Sequence, residues 1–200
     1  MKTQKINSIQ TVTAATLAIV LLTFAACSGK EGTSINEKEH SPVSQTNVKP
    51  PKMDIHTATV LGDIETIQQH IEAGSDLNFK EPAVGSTPLI TAAVFGKTEV
   101  AKALIEAGAD VNIQNNEGST PLHTAAFFCY TEIVKMLLDN GADKNIRNNA
   151  GSIALESVAG PFDEVKVFYD YFSKELGPMG LKLDYEQLKV ARPRIAEMLR

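Results

Sequence analysis

The chain runs to 200 residues, 43% hydrophobic and 22% charged, without tryptophan and with a formal net charge of −5. An acidic balance of this kind is unsuited to gripping nucleic-acid phosphates and is repelled by anionic lipid headgroups. Beyond those exclusions, an ordinary acidic surface accounts for the charge.

Lys2 and Lys5 make a basic start, and Thr11–Ala26 is an unbroken run without charge. That run is shorter than the roughly 20 residues a membrane-crossing helix needs, and the combination is that of a secretory signal peptide. Residues 1–26 are therefore an address rather than part of the fold. They end in Phe24-Ala25-Ala26-Cys27, which resembles a bacterial lipoprotein cleavage box, with Phe24 where that family prefers Leu. The resemblance implies a multiply acylated Cys27 that anchors the protein to a membrane of the bacterial cell envelope, facing the periplasm or the exterior. Ordinary cleavage after Ala26, leaving Cys27 unmodified, is the alternative. Residues 28–52 are rich in Ser, Gly, Pro, Lys and Glu and almost lack large apolar side chains. Such a stretch reads as a flexible tether with a reach of roughly 28 Å. With Cys27 lipidated, Cys129 has no partner for an intrachain disulfide.

From residue 53 onward the chain repeats. Gly85-Ser86-Thr87-Pro88-Leu89 recurs as Gly118-Ser119-Thr120-Pro121-Leu122 after 33 residues, and in worn form as Gly151-Ser152-Ile153-Ala154-Leu155 after another 33. Ala92-Ala93 matches Ala125-Ala126, and Ala107-Gly108-Ala109-Asp110-Val111-Asn112 matches Asn140-Gly141-Ala142-Asp143-Lys144-Asn145. An earlier unit aligns with a step of 34, which sets Ala58, Gly62, Gly74, Asp76 and Asn78 on their counterparts. A fixed period of this length means stacked supersecondary units in place of one globular core. These residues resemble the ankyrin repeat. The resemblance implies an all-α solenoid of about four helix-turn-helix repeats with short hairpin loops, at 53–84, 85–117, 118–150 and a degenerate 151–172. Residues 173–200 then form a C-terminal helical cap.

The spacing has a direct physical reading. Thr87 and Thr120 stand where a helix N-cap is wanted, with Pro88 and Pro121 at the first helical position, where a missing N–H costs nothing. A second helix, Thr98–Ala107 or Thr131–Asp139, ends at Gly108 or Gly141, which accept the left-handed backbone that closes a helix. Val100, Ala103 and Leu104, with Ile133, Met136 and Leu137, recur at helical spacing and form the inter-repeat core. Thr66, Gln69 and His70 replace them in the first unit, as suits an end that meets water. Cys129 occupies the position of Gly62 and Gly96, so a positive φ is expected there. Asp184 with Gln187 reads as a capping box that opens a last helix, which Pro193 kinks or splits.

No arrangement of residues points to catalysis. His40, His56, His70 and His123 are scattered, and His56 and His123 share one repeat position. In the ankyrin pattern that histidine braces neighbouring backbone, so no metal and no cofactor are expected and an enzyme is not. The alternative class, an envelope hydrolase or metal-handling protein, would need activity or bound metal that depends on His56 or His123.

The binding residues come from register. In the ankyrin family the two positions after the paired alanines project toward the concave groove. Here they are Val60-Leu61, Val94-Phe95 and Phe127-Phe128, extended by Tyr130. They make an apolar stripe that either anchors a partner or packs inside the molecule, between repeats or beneath the tether or the C-terminal segment. The hairpin tips, Asn116, Glu117 and Ser119, then Asn149, Ala150 and Ser152, form a second polar contact row. The expected function is a membrane-tethered scaffold, a monomer binding another protein as an adaptor or assembly factor, or as an inhibitor or immunity protein.

Overall fold

The computed structural model describes residues 49–200, which are helical with connecting turns and no strand. The leader, Cys27 and most of the tether lie outside the described residues. Three helix pairs follow the predicted register. They are α1 (Ile55–Leu61) with α2 (Ile64–Glu72), α3 (Pro88–Phe95) with α4 (Thr98–Glu106), and α5 (Pro121–Phe127) with α6 (Thr131–Asp139). Inner helices α1, α3 and α5 pack in sequence, and outer helices α2, α4 and α6 do the same behind them. Each pair buries its apolar stripe on its neighbour. Val100, Leu104, Ile133 and Leu137 are all within 1% of full burial, and the paired alanines Ala92, Ala93, Ala125 and Ala126 are fully buried.

The caps form as the residues require. Thr87 accepts from the Ile90 amide at 3.2 Å, and Thr120 accepts from the His123 amide at 3.4 Å. His123 completes the box. Its Nδ1 accepts from the Thr120 amide at 3.3 Å, which leaves Nε2–H to donate to the Ser152 carbonyl of the next unit at 3.0 Å. His56 instead turns its Nε2–H to the Phe79 carbonyl of its own unit, at 3.0 Å. Met53 stands in the first unit where Thr87 and Thr120 stand in theirs, without a hydroxyl, and His56 Nδ1 is buried with no partner among the described residues.

The N-terminal end differs in part from expectation. Thr66 is partly exposed and Gln69 exposed, but His70 is 6% exposed. Its ring joins Ser75 Oγ at 2.9 Å and the Met53 carbonyl at 2.8 Å, so the incoming backbone covers a position that sequence alone assigns to water.

The C-terminal end needs a larger correction. The fourth inner helix is one turn, α7 (Glu156–Ala159), and packs on α5. Its partner is α9 (Tyr185–Leu199), which lies against both α7 and α6 in the place of a fourth outer helix. The fourth unit, expected at 151–172, is thus made of two separated halves, and its second half, the last helix, also covers the C-terminal face as expected of a cap. Between the two halves runs an insertion, α8 (Phe162–Leu176) followed by a 3-10 turn at Gly177–Met179. Leu188, Ile195 and Leu199 supply the buried seam of α9, at the helical spacing an outer helix requires. Asp184 caps α9 through the Glu186 and Gln187 amides, and the helix continues unbroken through Pro193, which lies on its exposed face.

The buried imidazoles make stability pH-dependent. Burial, which penalises the charged ring, lowers the pKa of both His56 and His123 in the folded protein. In the unfolded chain they return to about 6.5, so this contribution is complete above that pH and is lost as pH falls through the lower folded values. The urea midpoint should therefore drop between about pH 7 and about pH 5. His123→Asn should flatten that slope whatever it does at neutral pH; an unchanged slope contradicts the assignment.

Candidate functional site: the concave face and the hairpin tips

Register brings the apolar stripe to one face, and the structure divides it in two. Leu61 is 62% exposed and Val60 partly so, which leaves the first repeat open. Phe128 is only 5% exposed, and Val94, Phe95, Phe127 and Tyr130 are half-buried around it. What covers them is the insertion. Phe128, Leu176 and Leu181 make a second apolar cluster, joined by Val94, Phe95, Phe127, Tyr130, Phe172, Met179 and Leu183. The Phe172 ring meets those of Phe127 and Phe128 edge-on at 5.6 and 5.4 Å between centroids. Of the two readings of the stripe, internal packing therefore describes its second and third repeats, and the cover comes from the C-terminal segment. Phe128 does not present a free anchor.

Tyr169 locks the cover down. It is fully buried, its ring lies 5.0 Å from that of Phe127, and its hydroxyl donates to the Phe127 carbonyl at 2.7 Å. Arg192, 3% exposed in the middle of the α9 seam, donates to that hydroxyl at 3.0 Å. The same guanidinium reaches the Ser157 carbonyl at 3.0 Å and the Gly160 carbonyl at 2.9 Å, at the end of α7. Those carbonyls are the negative end of a short helix and stand in for a carboxylate, which Arg192 lacks among the described residues. Sequence reasoning missed Tyr169, Phe172, Leu176 and Arg192. The spacing of the first three was a readable signal, since 169, 172 and 176 fall on one helical face.

Cys129 sits beside this lock. Its φ of 61° matches the 61° of Gly96, as its register predicts. A side chain at Gly96 would come within 2.5 Å of the Tyr130 ring, so the glycine is required there by space as well as by backbone. The Cys129 thiol lies 3.9 Å from the Tyr169 hydroxyl, and burial pushes its pKa up, outweighing the contact with Tyr169 and the charge of Arg192. Burial likewise raises the Tyr130 phenol to about 12. Neither group is primed as a nucleophile near neutral pH. Among the described residues no three His, Cys, Asp or Glu side chains converge as metal ligands, and no helix is long and apolar enough to cross a membrane.

The hairpin tips are regular and stay open. The Asn116 amide donates to the Val84 carbonyl, and the Asn149 amide donates to that of Glu117, each at 3.0 Å, so successive tips are joined backbone to backbone. Asn149 Nδ2 also donates to the Asn116 carbonyl at 2.8 Å. Gly118 permits the close approach: its φ is 72°, and a Cβ there would lie 2.6 Å from Asn149 Oδ1. Asn116, Asn149 and Ala150 are exposed, and Glu117, Ser119 and Ser152 partly so. Lys80 and Arg147 brace the same row by donating to the Gln114 and Gly151 carbonyls, and sequence reasoning passed over both.

Comparison with known families matches residues 55–148 to the description "Ankyrin repeats (3 copies)". No curated protein matches the chain.

Two variants separate the halves of the stripe. Phe128→Asp places a charge inside the second cluster and should cost at least about 3 kcal/mol in chemical denaturation. Leu61→Asp, on the open repeat, should stay within about 0.5 kcal/mol of the parent. In a Cys27→Ser protein, Cys129 should resist a thiol reagent near neutral pH until denaturant is added; rapid labelling of the folded protein would contradict its burial.

Proposed function

Residues 55–148 being ankyrin repeats, which generally mediate protein–protein interaction and are typically not enzymes, we propose that this protein is a recognition scaffold tethered to the bacterial cell envelope. In this reading Cys27 bears the lipid, the tether carries the solenoid away from the membrane, and a protein partner is bound by the tip row together with the open first repeat. The observation that carries the reading is the linkage of the tips. Backbone bonds fix Asn116 and Asn149 relative to their neighbours before any partner arrives. A preformed surface loses little entropy on binding. The side chains of Glu117, Ser119 and Ser152 have no partner among the described residues, so their polar groups remain available to another molecule.

The covered phenylalanines leave the tips, Val60 and Leu61 as the exposed part of the surface expected from register. Adaptor and inhibitor are both consistent with such a surface; a single target held very tightly would mark the inhibitor.

The test uses the mature chain in envelope extract. A protein carrying Asn116→Ala, Glu117→Lys and Asn149→Ala should melt like the parent yet lose the partner that the parent retains. Equal capture by both would remove the tips from the site. Metabolic labelling with a fatty-acid analogue should mark the parent but not Cys27→Ser; an unlabelled parent would dismiss the anchor without touching the tips.

A further inference from the structure

Helix α8 is attached to the solenoid much as a peptide is attached to a receptor. It places Tyr169, Phe172 and Leu176 against the concave face, at positions i, i+3 and i+7. That is the spacing by which an amphipathic helix anchors in an apolar groove. The opposite face meets water: Asp163, Lys166, Asp170 and Lys174 are exposed, and Val167 is 60% exposed. Side chains make the grip: Tyr169, Phe172 and Leu176 reach the repeats from α8.

The helices of the repeat stack meet one another without this segment, which adds Tyr169, with Phe162 and Val165 beside it, to their core. Helix α7 packs directly on α9, and the insertion enters and leaves between them. Its boundaries are Gly160-Pro161 at one end and Gly177-Pro178 followed by Gly180, at φ 103°, at the other. A few such positions suffice to absorb the rotation of a hinged segment. Beneath it lie Val94, Phe95, Phe127, Phe128 and Tyr130, a contiguous apolar surface drawn from two repeats.

We propose that the concave face of the second and third repeats is a helix-binding groove, held occupied in cis by helix α8, residues 162–176. Its partner in trans is an amphipathic helix of another protein, with large apolar or aromatic side chains at i, i+3 and i+7, and this helix enters as the insertion swings out about its glycines. Tyr169 sets how tightly the groove is closed, because its hydroxyl bonds to both the Phe127 carbonyl and Arg192. The tip row stays exposed whether the groove is open or closed, so this site stands or falls apart from the tips.

Hydrogen exchange on the full chain, read by mass spectrometry, tests the opening. Amides of 163–176 should exchange through a local event at least about tenfold faster than those of α5 and α6, the sub-global opening of a weakly held unit. Tyr169→Phe should accelerate that event by about another tenfold while the repeats keep their protection. A labelled synthetic peptide of residues 162–176 should then bind the Tyr169→Phe protein in trans, and a peptide carrying Phe172→Asp should not. One common exchange rate for insertion and repeats, or no binding of the parent peptide, would make the insertion a permanent wall and overturn the proposal.

Discussion

A stack of repeats has two ends that the repeat itself cannot finish, and this constraint organises the molecule. Each unit buries its apolar stripe only against a neighbour, so the last face must be covered or made polar. At the N-terminal end the solution is small: the Met53 carbonyl lies over His70 and satisfies its ring. At the C-terminal end the repeat is split. One turn at Glu156–Ala159 and the helix Tyr185–Leu199 make the closing pair, and the chain between them is free to do something else.

Arg192 joins the two consequences. A guanidinium in a helix seam is costly to bury unless its donors are used, and here they are used on the carbonyls that end α7 and on the Tyr169 hydroxyl. The same residue thus ends the stack and holds the insertion over the groove. Tyr169 passes the connection on to the Phe127 carbonyl, and Phe172 and Leu176 complete the apolar contact. Closing the stack and covering its concave face are therefore coupled through one side chain. The hairpin tips and the first repeat are the surfaces the insertion does not reach.

Much of this was legible in the sequence because it is local. Thr87-Pro88 and Thr120-Pro121 announce helix starts by their own chemistry, and the register alone requires the positive φ found at Cys129. The bracing of backbone carbonyls by His56 and His123 follows from a shared repeat position, although only His123 reaches into the next unit. The rest was hidden because it depends on distant segments. Register leaves the stripe at Phe127-Phe128 open between partner contact and internal packing, and only residues some forty positions later decide that it is covered. The fourth unit is hard to read in the sequence because its two helices, Glu156–Ala159 and Tyr185–Leu199, are separated by the insertion. Arg192 gives no signal at all: a charge between Leu188 and Ile195 looks like a break in the apolar seam, yet it is the residue that closes the end.

The most direct test of this account is aromatic proton contact by NMR in the full chain. Nuclear Overhauser effects between the Phe172 ring and those of Phe127 and Phe128, with the Tyr169 ring in contact with Phe127, are the predicted result. Absence of these contacts, with the Phe128 ring resonating as in an unstructured peptide while the repeats remain folded, would contradict it. The concave face would then be open, and the phenylalanine stripe would return as the primary surface for a partner.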